Sequence, residues 1–201
     1  MRDLSPTRAA LLELQDEKRA LHEGHVFLDE KCLLLAGEML RQLQRHGELQ
    51  RRLDQAHESA MDALRAALAR HGLQGLQVQP AIDGSGARLE RHASSLMGVP
   101  LQDAEWIADP AARAPDTVDP SPELRDCRRA FLALAAAAAP LAAVSGNLER
   151  LSAEYRRSVR RARALQDVML PELGRDIADI ETRLEELEQQ DALAMRRAPA
   201  A

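Results

Sequence analysis

Leucines at strict seven-residue steps limit what this chain can fold into more than any other feature. Leu14, Leu21, Leu28, Leu35 and Leu49 share one heptad position, with Gln42 at the single polar step. Leu11, Cys32, Met39, Leu53, Ala60 and Ala67 sit three residues earlier in their heptads, and Lys18, His25 and His46 interrupt that second series. No proline separates Pro6 from Pro80. This is the a/d pattern of a coiled coil, sustained over about eight heptads. A helix from Ser5 to His71 would extend about 100 Å at the α-helical rise. A stripe that long cannot be buried within its own helix, so it needs an equally long apolar partner.

The second half of the chain offers one. Phe131, Leu134, Leu141, Leu148, Leu151, Tyr155, Val159, Ala162, Leu165, Met169, Leu173, Ile177, Ile180, Leu184 and Leu187 recur mostly at steps of three and four. Consecutive steps of four between Leu165 and Ile177 depart from the heptad and locally unwind a supercoil. Pro140 and Pro171 each remove a backbone hydrogen bond and predict bends.

Both helices carry the same opening punctuation. Ser5 reads as an N-cap with Pro6 at the first helical position, and Ser121 with Pro122 and Glu123 repeats the pattern. His71-Gly72 reads as the first helix's exit. Gly24, Gly37 and Gly47 inside that helix mark either close approach of another backbone or mild bends. Arg196-Arg197-Ala198-Pro199 has no apolar stripe and is expected to fray.

Between the helices lie Pro80, Pro100, Pro110, Pro115 and Pro120 together with Gly75, Gly84, Gly86 and Gly98. Asp83-Gly84-Ser85-Gly86 is a turn signal, predicting a small hairpin of Leu76–Ile82 with Ala87–His92. Trp106, the single tryptophan, reads as packing this insert onto the helix ends, with a partner-docking anchor as the other reading.

These features predict an all-α fold, a long antiparallel two-helix coiled-coil hairpin with a small irregular or β-hairpin insert at the turn. Residues 1–72 form the first helix, 73–120 the insert and 121–201 the second helix of one elongated domain. Only 2% of the residues are aromatic, too few for the usual compact core. In this pairing His71 lies beside Ser121–Arg125 and Gly24 opposite Pro171. Cys32 and Cys127 then sit about 54 Å apart along the helices, beyond the reach of a disulfide. The same register gathers Arg41, Arg45, Arg51 and Arg52 with Arg150, Arg156, Arg157, Arg160, Arg161 and Arg163 into a basic band. It reads either as a solvated face or as a contact surface for an acidic partner. No aromatics interleave these arginines, which argues against stacking on single-stranded nucleic acid.

Chemistry is hard to place on such a chain. Neither Lys18 nor Lys31 follows a glycine-rich loop, which excludes a P-loop. Asp54-x-x-His57 is one imperfect half of a di-metal carboxylate motif without a counterpart. His22 and His25 have helical ligand spacing but lack further ligands. Serines and histidines form no acyl-transfer motif, and a thin coiled coil has no deep pocket. No catalytic residue, cofactor or metal site is expected. A net charge of −5 excludes a general polycation for nucleic acid. Met1 is followed by no apolar h-region, and Ala130–Val144 reads as too short and too alanine-rich to cross a bilayer.

Three separated stretches resemble one family. Leu4-Ser5-Pro6-Thr7-Arg8 with Leu11-Leu12, then Gly24-His25-x-x-Leu28-x-x-Lys31, is similar to the opening of the D subunit of archaeal/vacuolar-type rotary ATPases. Met97-Gly98-Val99-Pro100 resembles the Met-Gly-Val segment of that family's insert. Arg160-Arg161-Ala162-Arg163-Ala164-Leu165, continuing to Val168-Met169-Leu170-Pro171, resembles its Arg-Arg-Val-Asn-Ala-Leu-Glu-x-Val-x-Ile-Pro signature. Three departures stand out. Phe27-Leu28-Asp29-Glu30-Lys31-Cys32-Leu33 replaces Leu-Leu-Lys-x-Lys-Arg-Asp, Ala162 and Arg163 replace Val-Asn, and Leu193-Ala194-Met195-Arg196 lacks the family's phenylalanine.

The resemblance implies a non-catalytic central-stalk rotor component. Such a component carries torque between the ATP-binding hexamer and an ion-translocating membrane ring. The implied partners are the catalytic A and B subunits, the small F subunit and the adaptor on the membrane ring. The implied location is cytoplasmic and peripheral to the membrane. Ser5, Pro6, Thr7, Arg8, Gly24, Leu28, Lys31, Met97, Gly98, Val99, Pro100, Arg160, Arg161, Ala164, Leu165 and Pro171 become the expected rotor-contact residues. Ser5–Leu21 and Met169–Met195 form the expected tip inside the hexamer. The alternatives are a coiled-coil stalk of a flagellar or type III export apparatus and a free-standing coiled-coil adaptor. The insert is too short for the α/β domain of an F-type gamma subunit.

Overall fold

The structure, a computed structural model, describes residues 6–80, 87–108 and 117–197. It is mostly helical. Helix α1 spans Arg8–Gln77, α2 Pro122–Ala164 and α3 Leu170–Arg197, with a π turn at Leu165–Met169 between the last two. A hairpin of β1 (Ala87–Leu96) and β2 (Val99–Ala108) lies between α1 and α2 in sequence. The chain divides into two compact units, one of Met1–Leu34 with Tyr155–Ala201 and the other of Leu35–Glu154.

In the first unit the leucine stripe is the buried stripe. Leu14 packs with Leu173, Ile177 and Ile180 of α3, and Ala10, Leu11, Leu21 and Leu184 complete the cluster. Lys18, an interruption in the stripe, is exposed. The opening of α1 differs from the expectation. Thr7 is the cap, its hydroxyl accepting the Ala10 N–H at 3.2 Å, and Pro6 precedes it outside the helix. The threonine hydroxyl reaches the third amide of the first turn, satisfying one of the donors that a helix start leaves without an intrahelical partner. Ser5 lies outside the described residues.

The steps of four in the second helix become a π turn. The Leu170 N–H reaches back to the Leu165 carbonyl, five residues away, immediately before Pro171. Pro171 has no N–H to donate and its ring crowds the preceding turn, so one widened turn absorbs the mismatch. Gly24 faces the Leu165 side chain, 3.9 Å from where its Cβ would lie, and not Pro171. Gly37 and Gly47 have nothing within 4 Å, which removes close approach as their explanation.

The second unit holds Leu35 and Leu151 fully buried, and Leu49 packs with Leu141 and Val144. Ser121 caps α2 as expected, accepting the Leu124 N–H at 3.1 Å, and its Oγ lies 2.7 Å from His71 Nε2. At Gly72 α1 breaks (φ 68°, ψ 168°) and then resumes to Gln77, later than the expected exit. That backbone region is open essentially to glycine alone. Pro140 lies within a continuous α2. Contrary to the expectation for Ala130–Val144, the helical run that contains it is long and apolar enough to cross a membrane by length and composition. Its apolarity is largely alanine, and Leu141 and Val144 within it pack on α1.

The hairpin is not the predicted one. β1 and β2 pair without a bulge from Ala87↔Ala108 to Leu96↔Val99, closing over Met97-Gly98. Met97 (φ 50°) and Gly98 (φ 84°) both have positive φ, the signature of a two-residue type I′ turn. That turn's twist matches the strands', so it sets the register here, whereas Ile82 and Gly84 to Gly86 lie outside the described residues. Trp106 belongs to β2, opposite Leu89.

Candidate interaction surfaces

The Leu35–Glu154 unit holds its hairpin by the backbone edge of β2. Leu96 and Val99 flank the turn as a hydrogen-bonded pair, so alternate residues of β2 point their N–H and C=O away from β1. Pro100 and Gln102 are two of these. The Asn147 side chain on α2 takes the Gln102 N–H on Oδ1 at 2.8 Å and donates Nδ2 to the Gln102 carbonyl at 2.8 Å. Arg150, one helical turn on, donates Nε to the Pro100 carbonyl at 2.9 Å and a terminal nitrogen to Asn147 Oδ1 at 2.7 Å. Asn147 is 2% exposed. Its amide thus stands in for a neighbouring strand by pairing both backbone groups of Gln102. Gly146 leaves room for this arginine, whose guanidinium lies 3.3 Å from the glycine's virtual Cβ.

Arg45 of α1 adds an ion pair to Asp103 at 2.7 Å. Sequence reasoning missed the docking roles of Asn147, Arg150, Arg45 and Asp103. The available signal was an asparagine among seam-forming residues of α2, one step before Leu148. Between the hairpin and the helices runs an open groove of about 920 Å³, whose walls include Arg41, Arg45, Arg52, His92, Trp106 and Pro140. Trp106 is half-buried there.

The family-like residues of this unit form its hairpin tip. Val99 is buried, Met97 is partly buried, and Gly98 and Pro100 are placed at and just after the turn. Proline is tolerated at position 100 because its nitrogen points away from β1.

In the other unit, Arg8 is exposed and pairs with Glu188 at 2.7 Å. Thr7 caps the helix beside it, with Pro6 just before. Gly24 and Leu165 meet, while Leu28 and Lys31 are partly buried. Arg160, Arg161 and Ala164 are exposed, as is Pro171 after the π turn. The turn itself presents Val168 (50% exposed) and Met169 (41%). On α1, Val26, Phe27, Leu33 and Leu34 are exposed outside the packed stripe, a concentration of apolar surface that a solvated helix does not need.

The arginines expected to form one band are divided between the units and many are engaged. Arg41 pairs with Glu38, Arg45 with Asp103, Arg51 with the Gly47 carbonyl, and Arg150 with the hairpin. Both cysteines are free thiols. Burial pushes each above the ordinary thiol range, with Asp29 adding to the effect at Cys32. Among the described residues no group of three or more His, Cys, Asp or Glu side chains is placed to hold a metal.

Comparison with known proteins gives one result. The family model for the ATP synthase D subunit matches residues 10–200. The D subunit of the A-type ATP synthase of Methanopyrus kandleri is 27% identical over 199 residues, covering 98% of this chain and 86% of its own. That of Thermococcus sibiricus is 27% identical over 200 residues, covering 98% and 94%. The D subunit of the V-type ATP synthase of Thermus thermophilus is 29% identical over 202 residues, covering 98% and 88%. A match that runs through both units, the Met97-Gly98 turn and the π turn places the chain by its whole length. The chain belongs to the family of ATP synthase D subunits.

Proposed function

We propose that this chain is the central-stalk rotor of an A/V-type ATP synthase, carrying torque between the catalytic hexamer and the ion-translocating membrane ring. The D subunit is a structural, non-catalytic member of these complexes. The observation that carries the reading is the family match over residues 10–200 on a chain whose long heptad stripe is its buried stripe. On this reading α1 pairs with α2 and α3 as an antiparallel coiled coil, the form of a torsionally stiff shaft.

The tip inside the hexamer is formed by Ser5–Leu21 with Met169–Met195. There the π turn and Pro171 break the symmetry of the paired helices, so that each catalytic interface meets a different side. The A and B subunits surround this tip. The F subunit and the membrane-ring adaptor take the remaining exposed surfaces, and the apolar residues Val26, Phe27, Leu33 and Leu34 support a helix-docking face among them. The complex holds the chain at the membrane's cytoplasmic side without inserting it.

Two measurements test this. Tagged chain co-expressed with A and B subunits is expected to recover both, and recovery of neither would refute the rotor role. Truncation of residues 187–201 is expected to lower coupled ion transport while leaving helical content near normal. Unchanged transport would displace the tip from these segments.

A further inference from the structure

The two edges of the hairpin are treated differently by the fold. The outer edge of β2 is covered, because Asn147 and Arg150 bond the outward backbone groups of Gln102 and Pro100. These bonds also fix which residues of β1 face outward. Ala93 lies opposite Gln102 and Ser95 opposite Pro100. Ala93 and Ser95, and by alternation Leu89 and Arg91, therefore turn their N–H and C=O groups to β1's outer edge. Among the described residues no backbone hydrogen bond reaches that edge from another element.

Charge is the one usual defence of an edge strand that β1 carries. The strand is ten residues long, carries no proline, and pairs without a bulge. Most of it is exposed. A long, regular edge to which no other described element bonds is a template for one more strand. A two-stranded sheet gains stability from a third. Its charges narrow the kind of strand that fits. Arg88, Arg91 and His92 are exposed, and among the described residues none has an ion-pair partner, whereas Glu90 is half-buried. Opposite charges directly across a strand pair stabilise it and like charges oppose it.

We propose that β1 is a strand-addition site that takes an extended acidic segment of another subunit of the same assembly. The proposal rests on membership in the rotary complex for its partner, but not for its geometry. Main-chain bonds to Leu89, Arg91, Ala93 and Ser95 supply the affinity, and carboxylates beside Arg88 and Arg91 supply the selectivity.

Residue-resolved amide exchange on the isolated chain and on the assembled complex tests it. Exchange at Leu89, Arg91, Ala93 and Ser95 is expected to slow by about a hundredfold or more on assembly. The inward amides of Glu90, His92 and Ser94 are expected to be protected in both states. Ala93→Pro removes an outward N–H, as Pro100 does in β2, so it spares the hairpin and is expected to abolish the new protection. Arg88→Glu with Arg91→Glu is expected to weaken that protection without altering the inward amides. Fast exchange of the outward amides in the complex would overturn the proposal, and so would protection already present in the isolated chain. If the chain enters no complex with the other subunits, the rotor reading fails first and this one with it.

Discussion

Asn147 shows how much one side chain can organise. Its amide substitutes for a strand, satisfying both the N–H and the C=O of Gln102 while Arg150 braces it from the next turn. Asn147→Ala strips partners from both groups, a loss of about 1–3 kcal/mol for the two bonds together. The expected outcome is faster amide exchange across β1 and β2 and a lower thermal midpoint, with the α1–α3 cluster unaffected. Exchange unchanged in the hairpin would mean that other contacts hold it. Asn147 was hidden in the sequence because a polar residue within an apolar pattern looks the same whether it docks a strand or meets water. Glu123 acts at the same scale. Its own backbone N–H holds the carboxyl below its usual range, helped by the Ser121 hydroxyl and by Arg70 and His71, while desolvation opposes the shift. A depressed carboxyl contributes stability above its unfolded-state pKa and loses it as pH falls through the folded value. Acid titration is therefore expected to loosen the first turn of α2 in the wild type more than in Glu123→Gln, read by exchange at the α2 N-terminus.

The elements differ in how legible they were. The body of α1 could be read, because packing along one face imposes one period, and Leu14, Leu35 and Leu49 are buried as that period requires. The steps of four around Leu165 registered as a broken heptad, but a break in period does not say how the backbone absorbs it. The answer is the extra residue of the π turn ahead of Pro171. The hairpin was misplaced for a related reason. Gly84 and Gly86 made the louder turn signal. Met97 gave no sign of the positive φ that it adopts, since methionine is not a usual residue there. What settles the strands is the Met97-Gly98 turn and the docking of β2 by Asn147 and Arg150, which strand propensity does not encode. Leu14→Ala tests the packing of α1 on α3, with an expected cost of about 2–5 kcal/mol. Combined with Ile177→Ala it should cost less than the two single changes together, because both empty the same cluster. Strict additivity would show that the two side chains do not share a core.

Across the whole molecule, the candidate contact residues were legible only through resemblance. Arg8, Gly98 and Pro171 carry no chemistry that composition or spacing would single out. The structure gives each a local reason: an ion pair, a positive φ, and a π turn. It also shows several of the expected band's arginines bonded within the chain, which spacing alone could not reveal. The rotor role proposed for this chain rests on a buried heptad stripe and on a match to the ATP synthase D subunits over residues 10–200. The direct test is to fix an assembled A/B hexamer to a surface, attach a probe to this chain near Gly98, and add ATP. Sustained rotation of the probe in one direction, stopping when ATP is removed, is the predicted result. A probe that stays fixed relative to the hexamer while ATP is hydrolysed would contradict the rotor role.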